Sequence, residues 1–290
     1  MLSIHQQPYT QQIVDERLKN VGLFIRREDV IHPFASGNKW RKLRYNLLEA
    51  KEKGYHTLLT FGGAYSNHIY ATAAAADEAG FKSIGIIRGE ELEDKPLNPT
   101  LNFASDRGMQ LHFVDRSTYR NKTDQVFLAK LRDKFGHFFL IPEGGTNALA
   151  LKGAAEIVDE EIRQFDYVSC SVGTGGTMAG LIQGLRGNGK VLGFSALKGG
   201  FLRDEVQRLI GAKSALTNWQ IIDDYHFGGY AKTTTELTAF VVNFEALHKV
   251  PIEPIYTGKM LFGVFDLIQK GTFERGARIL AVHTGGLRTK

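Results

Sequence analysis

The 290-residue chain has a single cysteine and no apolar run that approaches the roughly 20 residues of a membrane-spanning helix. One cysteine, Cys170, excludes an intrachain disulfide and favours a reducing compartment. The polar segment of residues 1–15 also lacks the basic-then-apolar order of a signal peptide. These absences predict a cytoplasmic protein that has no membrane partner.

The sequence also lacks the patterns of several enzyme classes. Its nine histidines form no pair at the spacing of metal ligands, and one cysteine cannot build a zinc site, so no metal is expected. The Gly-x-Ser-x-Gly turn of many serine hydrolases is missing. The phosphate-binding patterns Gly-x-x-x-x-Gly-Lys-Ser/Thr and Gly-x-Gly-x-x-Gly are missing too, which disfavours a nicotinamide-dependent oxidoreductase.

Basic residues give the chain a formal net charge of +5, but they are scattered along it. The densest group, residues 39–44, alternates with apolar positions, which suits the start of a helix better than a nucleic-acid-binding arm. We therefore expect a soluble metabolic protein that acts on a small molecule and does not bind nucleic acid.

Strand-like and helix-like segments alternate along the chain. A buried run at residues 57–61 is followed by glycines and by an alanine-rich helical pattern that begins at Ser66. The same order returns at residues 167–172, and residues 277–283 form a last buried strand. This alternation predicts an α/β fold with a largely parallel sheet, without repeats or a flexible linker.

A dense glycine loop, Gly173-Thr174-Gly175-Gly176-Thr177, lies between a predicted strand and a predicted helix. Glycines let successive backbone N–H groups converge on one anion, and the helix end adds partial positive charge. The spacing suits a small phosphomonoester better than a pyrophosphate. The loop is therefore predicted to bind a phosphate, and the less favoured alternative is a tight strand-to-helix turn.

A lysine-containing segment, Ser36-Gly37-Asn38-Lys39-Trp40-Arg41-Lys42-Leu43, resembles the lysine motif of the fold-type II pyridoxal 5'-phosphate (PLP) enzymes, the tryptophan synthase β-like group. It is most similar to the subgroup of D-cysteine desulfhydrase and 1-aminocyclopropane-1-carboxylate (ACC) deaminase. Six further motifs of the subgroup occur in the family's order, one before this segment and five after it. They are Arg26-Arg27-Glu28-Asp29, Gly62-Gly63-Ala64-Tyr65-Ser66-Asn67-His68, Gly144-Gly145-Thr146-Asn147-Ala148-Leu149, Gly173-Thr174-Gly175-Gly176-Thr177, Pro254-Ile255-Tyr256-Thr257-Gly258-Lys259 and His283-Thr284-Gly285-Gly286.

The resemblance implies two open, twisted, mostly parallel sheets flanked by helices, with PLP in the cleft between two domains. The smaller domain is expected at residues 45–145, and the larger PLP-binding domain at residues 1–44 and 146–290. A homodimer is expected as well, because relatives of this kind are commonly dimers or larger.

The resemblance also implies roles for individual residues. Lys39 binds the PLP aldehyde and later acts as the general base, and the glycine loop holds the phosphate. Ser66 offers its hydroxyl to the substrate carboxylate, and Asn67 lies along the PLP ring, although a helix cap alone could explain one of the two. The resemblance assigns a catalytic role to Tyr256. It assigns the same role to Tyr230, which precedes Tyr256 by the family's spacing. The segment after Tyr230 departs from the family pattern.

Two threonines bear on the reaction. By the resemblance, ACC deaminases have Glu at the position of Thr257 and Leu at the position of Thr284. D-cysteine desulfhydrases have Thr at both positions, as this chain does. A hydroxyl next to the pyridine nitrogen makes a weaker electron sink than a carboxylate, which suffices for expelling a thiolate. We therefore expect β-elimination from D-cysteine to pyruvate, ammonia and sulfide.

Three alternatives remain at this point. The first is an ACC deaminase that yields 2-oxobutyrate and ammonia, and the second is a PLP-binding protein without lyase activity. The third concerns Thr257 alone, which could end a strand with its hydroxyl bonded to backbone.

Overall fold

The computed structural model describes residues 2–287, which divide into two compact units. One unit contains Lys42–Ala150 and the N-terminal segment up to Ser3. The other contains Ile4–Arg41 and the chain from Leu151 onward. None of the helices within residues 2–287 is both long and apolar enough to cross a membrane.

Strands and helices alternate along most of the described chain. The ten strands are β1 (Thr10–Ile13), β2 (Gly22–Arg27), β3 (Thr57–Gly63), β4 (Lys82–Arg88), β5 (Met109–Val114), β6 (Phe139–Ile141), β7 (Tyr167–Val172), β8 (Lys190–Ser195), β9 (Trp219–Ile222) and β10 (Arg278–His283), all within residues 2–287. The ten α-helices of the same range are α1 (Asn38–Glu52), α2 (Asn67–Ala79), α3 (Pro99–Asp106), α4 (Arg116–Arg120), α5 (Gln125–Phe135), α6 (Ala148–Ala155), α7 (Gly176–Leu185), α8 (Leu202–Ile210), α9 (Thr235–His248) and α10 (Thr257–Gln269).

The unit around Lys42–Ala150 is built on a four-stranded, all-parallel sheet in the order β5-β4-β3-β6. Its central strands are buried along nearly their whole length, as expected for strands covered on both faces. Gly62 and Gly63 belong to β3 rather than to the turn after it. A Cβ at Gly62 would collide with Ile69 of α2, so glycine is needed for this helix to pack close to the strand.

The unit that contains the chain from Leu151 onward has a six-stranded sheet in the order β1-β2-β10-β7-β8-β9. Only the β1–β2 pair is antiparallel. Buried side chains form an apolar cluster on each face of this sheet. Because β2, β10 and β7 run parallel side by side, the segments that follow their carboxyl ends emerge at one edge. The predicted α/β fold of two sheets flanked by helices is confirmed.

The sequence pattern overestimated one helix. The alanine and leucine pattern of residues 147–163 predicts one continuous helix, whereas α6 ends at Ala155. The β-branched residues Ile157 and Val158 follow, and both are buried. Three consecutive acidic residues come next at the carboxyl end, where a helix dipole disfavours negative charge. Asp159 instead accepts the backbone N–H of Ile162 at 3.0 Å and forms a turn.

Helix α7 packs closely against the second half of α6, and this contact gives the first testable prediction. A Cβ at Gly180 would lie 2.8 Å from the carbonyl oxygen of Leu151 and would overlap the side chain of Ala154. Gly180→Ala should therefore destabilise the protein by about 1–2 kcal/mol, because overpacking outweighs the gain of roughly 1 kcal/mol in helix propensity.

Thermal or denaturant unfolding measures this effect. Gln183→Ala is the matched control on the same helix, because Gln183 is only half-buried, and it should change stability by less than about 0.5 kcal/mol. A higher melting temperature for Gly180→Ala would contradict the proposed packing.

Candidate active site

Three segments meet at the carboxyl edge of the six-stranded sheet. The N–H of Asn38 donates to the carbonyl oxygen of Thr284 at 3.2 Å, and the Asn38 side-chain amide donates to the Thr177 hydroxyl at 2.8 Å. The hydroxyls of Ser171 and Thr284 lie 3.3 Å apart. These bonds join the start of α1, the glycine loop after β7 and the end of β10 into one polar site.

Gly37 explains how α1 can begin so close to β10. Its φ is +59°, and a Cβ there would collide with the carbonyl group of Thr284. Gly285, with φ +78°, likewise approaches Ser36 so closely that no Cβ would fit. The two glycines thus let two backbones touch, and this contact places Lys39 at the edge of the sheet.

Lys39 is the second residue of α1, and its Nζ donates to the Asn38 side-chain oxygen at 2.9 Å. Protein surrounds the side chain closely, yet part of it remains accessible, as an amine that reacts with a small molecule requires. Burial lowers the pKa of Lys39 to about 8, while the nearby Glu253 carboxylate acts in the opposite direction. A sizeable fraction of the amine is therefore neutral at physiological pH.

The glycine loop leads directly into α7. Gly175 is the N-cap of this helix with φ +76°, and no side chain caps the first turn. The backbone N–H groups of that turn, which includes the buried Thr177, therefore have no side-chain acceptor from the N-cap. Because Thr177 accepts its hydrogen bond from Asn38, its own hydroxyl proton is left to donate. This donor set suits a phosphate.

Thr257 begins α10, and its side chain is fully buried. Its hydroxyl has no hydrogen-bond partner among residues 2–287. The alternative in which Thr257 ends a strand and bonds to backbone is therefore wrong. The Glu253 carboxylate lies close to this hydroxyl. A buried hydroxyl without a well-formed hydrogen bond is costly, so it is suited to pair with a bound group.

Glu253 is a site residue that the motifs did not single out. Its carboxylate accepts the backbone N–H groups of Ile255 at 2.7 Å, Tyr256 at 3.0 Å and Thr257 at 2.7 Å. Burial raises the pKa of Glu253 to about 7, and these N–H groups act against that rise. The available signal was the poor capping residue Tyr256 at the N-cap of α10, which requires a cap from elsewhere.

The two tyrosines lie together in the same unit. The rings of Tyr230 and Tyr256 are 6.1 Å apart in an edge-on arrangement. Tyr256 also lies over the glycine loop, because a Cβ at Gly173 would be 3.3 Å from its ring. Tyr230 keeps 42% of its surface exposed. Both hydroxyl-bearing rings therefore border the region between the loop and α10.

Ser66 and Asn67 lie in the other unit, at the turn between β3 and α2. The Ser66 hydroxyl caps α2 by accepting the N–H groups of His68 at 3.2 Å and Ile69 at 3.3 Å. Capping uses only its acceptor capacity, so the hydroxyl proton is left to donate. His68 has a structural role, since it bonds to Thr60 at 2.7 Å inside the core.

The residues around Lys39 fit PLP. A partly accessible amine can hold the aldehyde, uncapped N–H groups with the Thr177 hydroxyl can hold the phosphate, and the unpaired Thr257 hydroxyl can face the ring. Each requirement is met by a different element of one unit. The arrangement predicts a PLP site rather than a simple turn.

A family model described as "Pyridoxal-phosphate dependent enzyme" matches residues 4–285. The chain belongs to this family. It is 31% identical to a protein named "Putative 1-aminocyclopropane-1-carboxylate deaminase" from Thermotoga maritima, over 91% of this chain and 88% of the other. It is 32% identical to the "Bifunctional D-cysteine desulfhydrase/1-aminocyclopropane-1-carboxylate deaminase, mitochondrial" of Arabidopsis thaliana, over 91% and 72%.

Solved structures agree with this membership. An ACC deaminase homologue superposes with a TM-score of 0.81 at 27% identity and covers 98% of this chain and 90% of its own. A hydrogen sulfide-producing enzyme from Fusobacterium nucleatum has a TM-score of 0.69 at 13% identity, over 96% and 93% of the two chains, and shows the fold alone. The protein is therefore a PLP-dependent enzyme of fold type II, as the lysine motif predicted.

Replacement of the lysine gives the second prediction. Lys39→Ala should lose the PLP label that borohydride makes permanent and should lower turnover by at least about a thousandfold, because the variant lacks the amine that holds the aldehyde and accepts the proton. Mass spectrometry of the reduced protein locates the label. Lys51→Ala, an exposed position of the same helix, should keep both label and activity. A label that persists in Lys39→Ala would refute the assignment.

The third prediction concerns pH. Only a neutral amine attacks the PLP aldehyde, so the rate at which the PLP-free protein takes up PLP should rise as pH increases through about 8 and then level off. Stopped-flow absorbance measures this rate. A rate that keeps rising towards pH 10.5, the ordinary lysine value, would show that burial does not lower the pKa of Lys39.

Proposed function

We propose that this enzyme carries out β-elimination on D-cysteine or a related β-substituted amino acid, yielding pyruvate, ammonia and sulfide. The observation that carries the proposal is the buried Thr257 hydroxyl, which has no partner among residues 2–287 and begins the helix next to the tyrosines. A hydroxyl, rather than a carboxylate, stands at the position where the two related activities differ.

Bound PLP supplies an electron sink at the α-carbon of the amino acid. The chain contributes the proton transfers and the orientation. In the proposed reaction the Lys39 amine accepts the α-proton, which a pKa near 8 permits at neutral pH. The C–S bond then breaks, and its electron pair leaves with sulfur as thiolate. Water hydrolyses the released aminoacrylate to pyruvate and ammonia.

The strength of the sink distinguishes the two candidate reactions. Thr257 and Thr284 offer hydroxyls, which favour a protonated pyridine nitrogen less than a carboxylate does. The nearby Glu253 carboxylate is not assigned to the pyridine nitrogen, because it already accepts hydrogen bonds from three backbone N–H groups. Opening a cyclopropane ring demands more electron withdrawal than expulsion of a thiolate. The hydroxyl pair therefore favours elimination.

The proposed roles in substrate binding follow the family resemblance residue by residue. We propose that the Ser66 hydroxyl and the N-terminal N–H groups of α2 bind the substrate carboxylate, with Asn67 along the cofactor ring. Tyr256, over the glycine loop, and Tyr230 beside it are proposed to assist the departure of the leaving group. The phosphate is assigned to Gly173-Thr174-Gly175-Gly176-Thr177.

ACC deamination to 2-oxobutyrate and ammonia is the second candidate. It is supported by the printed names of similar proteins, several of which are putative ACC deaminases, and one of which carries both activities in its name. A substrate panel that measures pyruvate and 2-oxobutyrate separates the two candidates directly.

The fourth prediction exchanges the hydroxyls. Thr257→Glu should lower the ratio of D-cysteine turnover to ACC turnover, because a carboxylate strengthens protonation of the pyridine nitrogen. Thr284→Leu should cost activity, and the double variant should change the ratio more than either single variant. Both activities are measured on the wild type and all three variants.

Thr257→Ser is the matched control, since it keeps a hydroxyl and should preserve the wild-type ratio. If the wild type acts on ACC and ignores D-cysteine, the threonine argument fails, while the PLP assignment stands.

A further inference from the structure

The loop that carries Tyr230 has an unusual backbone. Four of its residues have positive φ: Phe227 (52°), Gly228 (91°), Gly229 (112°) and Ala231 (56°). A positive φ is sterically unfavourable for Phe227 and Ala231, so contacts with the surrounding structure must hold them in this conformation. Tyr230, whose side chain is proposed to act on the substrate, lies between two of these residues.

Lys259 supplies a specific anchor for this loop. Its side chain is only 1% exposed, and its Nζ donates to the carbonyl oxygens of His226 and Gly229, both at 2.8 Å. These acceptors bracket the positive-φ segment just before Tyr230. A buried amine is costly unless its donors are paired, so these two bonds tie the loop firmly to α10.

The anchor sits next to the residues assigned to the cofactor. Lys259 follows Thr257 by two residues on the first turn of α10, where Glu253 caps the helix. A Cβ at the intervening Gly258 would lie 2.8 Å from the carbonyl oxygen of Glu253, so this turn is packed tightly. One short rigid segment therefore holds Tyr256, Thr257 and, through Lys259, the loop of Tyr230.

Burial and the Glu253 carboxylate act on the Lys259 amine in opposite directions, and the effect of burial is the larger. Burial lowers the pKa of Lys259, and the Glu253 carboxylate raises it. The His226 ring accepts the N–H of Gly228 at 2.9 Å and thus helps to fold the same loop. With both carbonyl oxygens as its acceptors, the Lys259 amine works as a donor to the backbone of the loop.

We propose that Lys259 is a positioning residue that holds Tyr230 beside Tyr256 for the elimination step. The proposal rests on the proposed function, because it assigns Tyr230 to the reaction. Lys259 belongs to the motif that includes Tyr256 and Thr257, yet the resemblance gives it no role. The two hydrogen bonds to the loop provide one.

The test compares Lys259→Met and Lys259→Arg with Tyr230→Phe and with the Lys259→Met/Tyr230→Phe double variant. Lys259→Met should lower kcat about ten- to a hundredfold, since a displaced catalytic group is costly, and should leave PLP retention unchanged. Lys259→Arg, which keeps the donors, should recover part of the loss. The double variant should be no worse than Tyr230→Phe, because both changes remove the same function.

A second measurement does not depend on the substrate. Hydrogen exchange of the backbone amides of residues 226–231 should be faster in Lys259→Met than in the wild type, with the far-ultraviolet spectrum unchanged. Lys270→Met, at the exposed end of α10, is the control and should change neither exchange nor kcat.

The outcomes separate the two proposals. Unchanged loop exchange in Lys259→Met overturns the positioning role whatever the substrate proves to be. Faster exchange with losses that multiply in the double variant also overturns it, since Lys259 would then act independently of Tyr230. If the wild type releases neither pyruvate nor 2-oxobutyrate, the proposed function fails, and the exchange result alone decides whether Lys259 anchors the loop.

Discussion

The backbone contact between Gly37 and Thr284 is the constraint on which the site depends. It joins the end of β10 to the start of α1 at a separation that excludes any Cβ at Gly37, and the Asn38 N–H closes it with a hydrogen bond. Lys39 is the next residue, so this main-chain contact sets where its backbone lies, and a hydrogen bond to the Asn38 side chain orients its amine. Asn38 extends the same contact to Thr177 at the phosphate loop. A small distortion of the contact between Gly37 and Thr284 would displace both the Lys39 amine and the glycine loop that is proposed to hold the phosphate.

The start of α10 is the second important feature of the site, because its own first residues do not cap it. Helix starts normally consume a side-chain oxygen as a cap. Here the Glu253 carboxylate accepts the N–H groups of Tyr256 and Thr257 from upstream. The Tyr256 ring lies over the glycine loop, and the buried Thr257 hydroxyl is not used as a cap. The burial of Glu253 also places a carboxylate where it can influence both Lys39 and Lys259.

Much of this could be predicted from the amino-acid sequence. The strand at residues 167–172 and the start of α2 after Ser66 follow from local patterns, because hydrophobic periodicity and capping act over a few residues. Strand β2 was not predicted as a strand, since its charged end, Arg26 and Arg27, reads as a loop. Those arginines are nevertheless buried, where they pair with Glu28 and Asp29. Such pairing depends on the folded environment and leaves no periodic signal.

The sequence by itself therefore determined the fold class, the PLP-binding lysine motif and the glycine loop, because each is a local arrangement of residue types. Only the tertiary structure decided which neighbours these residues have. It revealed Glu253 as the cap of α10, the Thr257 hydroxyl without a partner within residues 2–287, and Lys259 as the anchor of the Tyr230 loop. These roles arise from hydrogen bonds and burial between segments distant in the chain, and Lys259 and Gly229, 30 residues apart, are an example. No local pattern encodes such contacts, because they form only when the sheet brings its carboxyl ends to one edge.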